Sequence, residues 1–246
     1  MKYILIGDIH GRTNWKQIVE KEKDADKFIF FGDYFDPYDW SLSLNEIVNN
    51  FNDIVEFKNN SPNKVILLIG NHDLRSLDQN ANQCRYIDGT YEQVAPTLFN
   101  GILDGIFQLC YFINDNIVCS HAGFSKTWLN DTDLSFDEFS LNKNFKEQVK
   151  NKTVISNYDF IYRKGDFWVD GSGNNIWQGP LWIRPESLMR NKPNDIIQCV
   201  GHTRINKNSN QLYKLDRIKL LLCDCLEHGE YYSYENEEFK FNKILC

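Results

Sequence analysis

The sequence predicts an α/β fold that gathers polar side chains at one edge of a mainly parallel β-sheet. Apolar runs at residues 3–7 and 27–32 each end in a glycine that is followed by a carboxylate, and a third run at 65–70 ends before Asn71. Near-continuous apolar strands joined by helices are typical of a parallel sheet that is covered on both faces. A chain of 246 residues, 42% of them apolar, can bury one such core. We therefore expect a single domain over residues 1–246.

The intervals between these runs predict helices. Residues 14–27 and 43–60 are charged but repeat apolar residues at helical spacing. The first part of the chain is thus predicted to run strand, helix, strand, helix, strand. A further helix is predicted within 90–109, in spite of Pro96 and two glycines. Because parallel strands end at one rim of a sheet, this order brings the loops after the strands together.

Two later apolar runs carry histidines to the same rim. Residues 116–120 end at His121, and residues 195–200 end just before His202. Beyond His202, short apolar segments separated by turns at HG and NEE predict that antiparallel strands close the chain. These segments lie at residues 211–216, 219–226, 231–236 and 239–245.

The interval 124–194 is rich in aromatic residues and is too polar for a core sheet. Its glycine-rich stretch at 167–182 has too ordered a composition for a linker. We expect this interval to form a lid or a wall of the binding pocket. Trp168, Trp177 and Trp182 could stack on a nucleobase, although such residues more often pack within a lid. The aromatic residues that mark the interval 124–194 are Trp128, Tyr158, Tyr162, Trp168, Trp177 and Trp182.

Composition argues against several classes of partner. The formal net charge is −7, whereas electrostatic binding of nucleic acid needs clustered Lys and Arg. No apolar run approaches the roughly 20 residues that span a bilayer, so no membrane contact is expected. The sequence starts without the pattern of a signal peptide and its seven cysteines form no C-x-x-C pair. These features predict a protein of the reducing cytoplasm, with Cys223 and Cys225 as core thiols.

Six polar residues at the predicted strand ends form a ligand set for metal ions. A single Asp-x-His motif is weak evidence, because a polar residue after a strand commonly turns the chain or caps a helix. The set is more informative, since four of the five histidines fall at these strand ends. Oxygen and imidazole ligands suit first-row divalent ions such as Mn, Fe or Zn. The six residues are Asp8, His10, Asp33, Asn71, His121 and His202.

In these motifs the sequence resembles the metallophosphoesterase (calcineurin-like) superfamily. Within it, the sequence is most similar to bacterial and phage serine/threonine phosphoprotein phosphatases and to symmetrical diadenosine tetraphosphate hydrolases. The resemblance implies a calcineurin-like β-sandwich of two mixed sheets flanked by helices, with a two-metal site at the strand ends. The motifs are GDIHG at 7–11, GDYFD at 32–36, GNHD at 70–73, SHAG at 120–123 and GHT at 201–203.

The resemblance implies that two divalent metal ions are the cofactors, with Mn²⁺ expected and Fe or Zn as alternatives. A hydroxide that bridges the two ions would attack the phosphorus, so no protein nucleophile is required. In the family pattern Asp8 and His10 bind one metal, Asp33 bridges both, and the other metal is bound by Asn71, His121 and His202.

The same resemblance makes His72 the general acid that protonates the leaving oxygen. Asp36 occupies the position of the carboxylate that orients this histidine and holds it protonated. The alternative for Asp36 is a turn carboxylate before Pro37.

Two departures from the pattern refine the expected activity. Many superfamily nucleases and phosphodiesterases carry GHxH as their last motif, but here Arg204 stands where the second histidine would be, which lowers the odds of a nuclease. The phosphatase pattern GDxxDRG carries an arginine directly after the aspartate to grip phosphate, but here that position is Pro37. Another arginine should substitute, because guanidinium is the best bidentate partner for phosphate oxygens.

The predicted phosphate-binding residues are Arg184, which we prefer, and Arg75, with Arg12 and Arg204 as further candidates. Each could equally be an ordinary surface arginine. The expected activity is hydrolysis of a phosphomonoester in a phosphorylated protein, a peptide or a small phosphate. Cleavage of a dinucleotide polyphosphate would use the same metal ligands and is the alternative. A metal-binding scaffold without catalysis is a further alternative, but it would not need His72.

Overall fold

The structure is a computed structural model that describes residues 1–77, 89–151, 172–193, 195–205 and 219–244. Ten strands, seven α-helices and one short 3-10 helix lie within these ranges. In chain order they are β1 (Tyr3–Ile6), α1 (Trp15–Lys21), β2 (Lys27–Phe30), α2 (Leu44–Asn60), β3 (Val65–Leu68), α3 (Asn71–Arg75), α4 (Thr90–Asp104), β4 (Phe107–Gln108), β5 (Cys110–Asn114), β6 (Ile117–Ser120), α5 (Lys126–Thr132), α6 (Glu138–Lys150), α7 (Pro185–Asn191), β7 (Ile197–Val200), β8 (Leu220–Leu222), the 3-10 helix (Leu226–His228), β9 (Glu230–Glu235) and β10 (Glu238–Lys243).

The first sheet is mixed and has six strands in the order β10-β9-β1-β2-β3-β4. Strands β1 to β4 are parallel, whereas β9 runs antiparallel to both β1 and β10. The predicted alternation of strands and helices in residues 3–70 is confirmed. Helix α2 begins with a capping box in which Ser43 and Glu46 bond each other's backbone N–H, and this explains where the second helix starts.

The second sheet has four strands in the order β5-β6-β7-β8. Strand β5 is antiparallel to β6, while β6, β7 and β8 are parallel. The prediction that β8 belongs to antiparallel closing structure is therefore wrong, because β8 completes this parallel group. The predicted hairpin of β9 and β10 is confirmed. Its turn residues Asn236 and Glu237 have φ of 52° and 63°, the left-handed backbone that favours such hairpins.

The two sheets pack face to face between two helical layers. Alternate residues of a strand point to opposite faces, so β1 directs Leu5 toward the second sheet and Ile4 toward the helices. Cys119 and Cys199 meet Leu5 in the layer between the sheets. On the outer face of the second sheet, Leu188 of α7 packs in a smaller cluster. The sandwich of two mixed sheets flanked by helices is confirmed.

Helices α5 and α6 lie within the interval 124–194 and bury apolar side chains in the main core, among them Trp128 and Phe145. Tyr158, Tyr162 and Trp168 of the predicted lid lie outside the described residues, as does the predicted strand at 211–216. The lid thus stays a prediction. No helix in the described part of the chain is long and apolar enough to cross a membrane.

Candidate metal centre

The six predicted ligands come together at the ends of five strands, where five of them line one cavity and the buried His121 contacts Asn71 and Asp33. Asp8 and His10 follow β1, Asp33 follows β2 and Asn71 follows β3. His121 follows β6, and His202 lies two residues beyond the end of β7. All six side chains are buried. The cavity has a volume of about 300 Å³, and its lining includes Asp8, His10, Asp33, Tyr38, Asn71, His72, Trp182, Arg184, His202, Arg204 and Asp224.

Asp8, His10 and Asp33 could hold one metal ion, because a ligand atom from each lies within 4.8 Å of the others. His10 Nδ1 lies 3.1 Å and 3.0 Å from the carbonyl oxygens of Phe35 and Asp36, so Nδ1–H donates and Nε2 carries a lone pair. That Nε2 lies 3.5 Å from Asp33 Oδ2. Burial lowers the pKa of His10 to about 3, which keeps the imidazole in the neutral form that binds metals.

Asn71 and His121 meet Asp33 from the other side. His121 Nδ1 lies 2.7 Å from the carbonyl oxygen of Phe31 and must donate to it, so Nε2 carries a lone pair. This Nε2 lies 2.9 Å from Asn71 Oδ1 and 3.6 Å from Asp33 Oδ2. Three acceptor atoms thus converge, and Asn71 Nδ2 is buried without a hydrogen-bond partner among the described residues. Such a convergence fits a cation between the acceptors, and it supports Asp33 as the shared ligand.

His202 is fixed by contacts on both its backbone and its ring. Its backbone N–H donates to both carboxylate oxygens of Asp8, at 3.1 Å and 2.9 Å. The ring Nε2 lies 3.1 Å from the carbonyl oxygen of Trp182 and donates to it, which leaves Nδ1 as the atom that could bind a metal. The His202 ring centroid lies 5.0 Å from that of His121.

The electrostatics of the cavity also fit cations. Burial, followed by repulsion from Asp224 and Asp33, raises the pKa of Asp8 well above its ordinary value. Burial raises the pKa of Asp224 to about 7, although Arg12 and Arg204 act in the opposite direction. Buried carboxyl groups such as Asp8 and Asp224 ionise less readily unless a positive charge is bound nearby. Divalent ions would supply that charge, so the residues present fit a metal centre.

His72 lies beside the ligand cluster and is paired with Asp36. The distance from His72 Nδ1 to Asp36 Oδ2 is 2.5 Å, and His72 Nε2 lies 4.0 Å from Asp33 Oδ2. The His72 backbone N–H donates to Asp33 Oδ1 at 2.9 Å. The His72 side chain is 17% exposed and lines the cavity, so it is accessible to a ligand there.

The four candidate arginines occupy different places. Arg184 and Arg204 line the cavity. Arg184 Nη1 donates to the carbonyl oxygen of His202 at 2.6 Å and to Thr203 Oγ1 at 3.0 Å. Arg75 is buried, with its guanidinium carbon 4.6 Å from the centroid of the Trp182 ring. Arg12 donates to backbone oxygens of Asp8 and Ile9, and neither Arg75 nor Arg12 is among the described lining residues.

Three residues that the sequence analysis left without a role belong to the site. Asp73 is fully buried, and its carboxylate accepts the backbone N–H of Asp33, Tyr34 and Gly70 at 2.7 to 2.8 Å. Tyr38 and Asp224 line the cavity. The final aspartate of GNHD was a detectable sequence feature. Asp224 was not, because it is a lone carboxylate within the apolar run LLLCDCL.

Comparison with known proteins identifies the family and the fold of this chain. Residues 1–240 match the family model for calcineurin-like phosphoesterases. The fold is similar to that of a cold-active protein tyrosine phosphatase, with a TM-score of 0.61 and 20% identity over 98% of this chain and 75% of that chain. It is also similar to a protein serine/threonine phosphatase from Saccharomyces cerevisiae, with a TM-score of 0.50 and 17% identity over 100% of this chain and 81% of that chain. No curated protein matched the sequence.

The chain is therefore a metal-dependent hydrolase of phosphoester bonds. It belongs to the calcineurin-like phosphoesterase family, whose members use a dinuclear metal centre.

Proposed function

We propose that this enzyme hydrolyses phosphomonoesters, and that phosphorylated proteins or peptides are among its substrates. One metal ion would be held by Asp8, His10 and Asp33. The other would share Asp33 and be held by Asn71, His121 and His202. When bound, the two ions would activate a water molecule and offset the negative charge of the phosphate. Mn²⁺ is the proposed ion, with Fe and Zn as alternatives, because carboxylate, amide and imidazole groups together suit first-row divalent ions.

The observation that carries the proposal is the pairing of His72 with Asp36 beside Asp33. The carboxylate 2.5 Å from Nδ1 fixes the tautomer and stabilises the protonated ring. Nε2 is then the atom that donates a proton, and it lies on the side of Asp33. A leaving oxygen of a phosphate held over the metal ligands would receive that proton.

The arginines and the cysteines support two further parts of the proposal. Arg184 would bind phosphate oxygens, because it lines the cavity and its backbone-bonded guanidinium is already in place. We also propose a cytoplasmic location, since the five cysteines among the described residues are free thiols buried in the protein.

The test is Mn²⁺-dependent turnover of phenyl phosphate, p-nitrophenyl phosphate, a phosphopeptide and diadenosine tetraphosphate. His72→Asn is the variant, and His228→Asn is the matched control, since His228 lies on the 3-10 helix outside the cavity lining. Loss of a general acid should lower kcat by about 10²- to 10⁴-fold on phenyl phosphate and the phosphopeptide. The loss should be smaller on p-nitrophenyl phosphate, because p-nitrophenolate leaves readily without a proton.

Each outcome decides between specific alternatives. An equal loss of kcat on all substrates would show that His72 supports the site without donating a proton. Turnover of diadenosine tetraphosphate alone would replace phosphomonoesters with dinucleotide polyphosphates as the substrate class. Absence of metal-dependent turnover of every substrate would favour a metal-binding scaffold.

A further inference from the structure

The cavity contains a second arginine, Arg204, which lies against the loop that holds Pro37. Arg204 comes from the loop after β7, but its guanidinium carbon lies 3.3 Å from the centroid of the Tyr38 ring. Tyr38 directly follows Pro37, so the guanidinium rests on the loop where the family motif has its phosphate-binding arginine. The guanidinium of Arg204, from the loop after β7, thus lies beside the loop that holds Pro37 and Tyr38.

The contacts that Arg204 makes with the described residues do not use all of its N–H donors. At 3.3 Å from the ring centroid, the guanidinium must lie nearly flat on the ring, and its N–H groups then point outward in its own plane. Its ion pair with Glu227 is long, at 3.5 Å, and Glu227 is shared with Arg12 at 3.7 Å. Such an exposed pair is weak and does not saturate five donors.

The two cavity arginines both lie near the Asp8 side of the ligand cluster. Arg184 donates to the backbone carbonyl oxygen of His202, and the backbone N–H of His202 donates to Asp8. Arg204 rests on Tyr38, whose ring makes an edge contact with His10, with centroids 4.7 Å apart, at the Asp8 side. Both arginines line the cavity together with Asp33, so a phosphate bound over Asp33 would meet two guanidinium groups.

We propose that Arg204, positioned by Tyr38, binds phosphate oxygens in place of the arginine absent at position 37, and that with Arg184 it selects dianionic phosphomonoesters over phosphodiesters. The reason for the selectivity is charge. A terminal phosphate carries two negative charges that can each meet a guanidinium, whereas a diester carries one. This inference rests on the proposed function for its kinetic part, but the anion site can be tested without turnover.

The first test is calorimetric titration of the Mn²⁺-loaded protein with inorganic phosphate. Arg204→Gln should weaken phosphate binding by about tenfold or more, the effect of losing charge-assisted hydrogen bonds. Arg204→Lys should fall between Gln and wild type, because it keeps the charge without the planar fork. The matched control is Arg190→Gln on α7, an arginine that is 68% exposed and paired with Glu186, and it should bind phosphate as wild type does.

Tyr38 variants test whether the Tyr38 ring positions the Arg204 guanidinium for phosphate binding. Tyr38→Ala removes the ring and should weaken phosphate binding severalfold, whereas Tyr38→Phe keeps the ring and should bind more tightly than Tyr38→Ala. Circular dichroism melting curves identify any variant that fails to fold, and Arg204→Lys then takes the place of Arg204→Gln.

The second test compares kcat/KM for p-nitrophenyl phosphate and bis-p-nitrophenyl phosphate. Arg204→Gln should lower kcat/KM by about tenfold or more for the monoester and by less than about threefold for the diester. Wild-type phosphate affinity in Arg204→Gln, or equal losses on both substrates, would overturn the inference. If no substrate turns over but phosphate binding still depends on Arg204, the proposed function fails while the anion site stands.

Discussion

Replacing Asp73 with asparagine should destabilise the protein and weaken its metal site, although the two side chains have the same shape. Asp73 Oδ2 accepts the backbone N–H of Asp33 at 2.7 Å and of Gly70 at 2.8 Å, and Oδ1 accepts that of Tyr34 at 2.7 Å. An amide has one acceptor oxygen. Whichever way it is turned, its NH₂ group faces at least one buried N–H donor.

The structure sets the size of the effect. The better orientation of the substituted amide keeps the bonds from Asp33 and Gly70 and leaves the Tyr34 N–H unpaired. Loss of that charge-assisted bond costs about 1.5 to 3 kcal/mol, and weakening of the other two to neutral bonds adds about 1 kcal/mol each. The sum is about 3.5 to 5 kcal/mol of unfolding free energy. Because Asp33 shifts with its backbone, metal affinity should fall by about 10- to 100-fold, as for other outer partners of metal ligands.

The assay is urea unfolding of the metal-free protein together with Mn²⁺ titration of the folded protein. The unfolding is measured at a pH above the pKa of Asp73, which burial and repulsion from Asp33 raise to about 8, so that the carboxylate is ionised. Asp104→Asn is the control, since Asp104 is exposed at the end of α4 and makes no hydrogen bond with the described residues through its side chain. An unfolding midpoint and a Mn²⁺ affinity of Asp73→Asn equal to those of Asp104→Asn would refute this prediction.

Two other predictions address the glycine and histidine positions of the site. Gly201→Ala should lower metal affinity by more than about tenfold, because a Cβ there would lie 2.1 Å from Asp8 Oδ1. The control is Gly105→Ala, where no atom lies within 4 Å of the new Cβ. It should leave the affinity unchanged in the same Mn²⁺ titration. His10 has a pKa of about 3 when folded and 6.5 ordinarily, so its stabilising effect is present above pH 6.5 and is lost as the pH falls toward 3. In the metal-free protein, the stability difference between wild type and His10→Gln should therefore shrink by about 2 kcal/mol from pH 7 to pH 5. If NMR showed that His10 of the folded protein titrates near pH 6.5, burial would not lower its pKa and the prediction would fail.

The strands that carry the ligands were predictable because each is a short apolar run ended by a glycine and a polar residue. Periodicity placed β1, β2 and β3 correctly, and the two later strands before His121 and His202. The second sheet was not derivable in this way. Whether β8 pairs parallel with β7 depends on where the chain returns in space, and the run LLLCDCL is equally apolar in either arrangement.

The roles of the arginines depend on side-chain reach, which a linear pattern does not contain. Arg75 follows the GNHD motif, but its guanidinium packs on Trp182. Arg204 stands two residues after His202, yet its guanidinium reaches Tyr38, 166 positions earlier in the chain. The proposed metal ligands follow directly from strand ends, so local motifs indicate them more readily than the residues that would surround a bound phosphate.

The backbone of the site is strained, and the ligands themselves hold it in place. His10, Asp33 and His202 have φ of 45°, 51° and 61°, in the left-handed region that costs residues other than glycine about 1 kcal/mol or more each. Each strained residue donates its backbone N–H to another site residue. His10 donates to the carbonyl oxygen of Asp33 at 2.6 Å, Asp33 to Asp73 and His202 to Asp8. Because the conformation of one ligand is held by the next, substitutions in this group should not have additive effects on metal affinity.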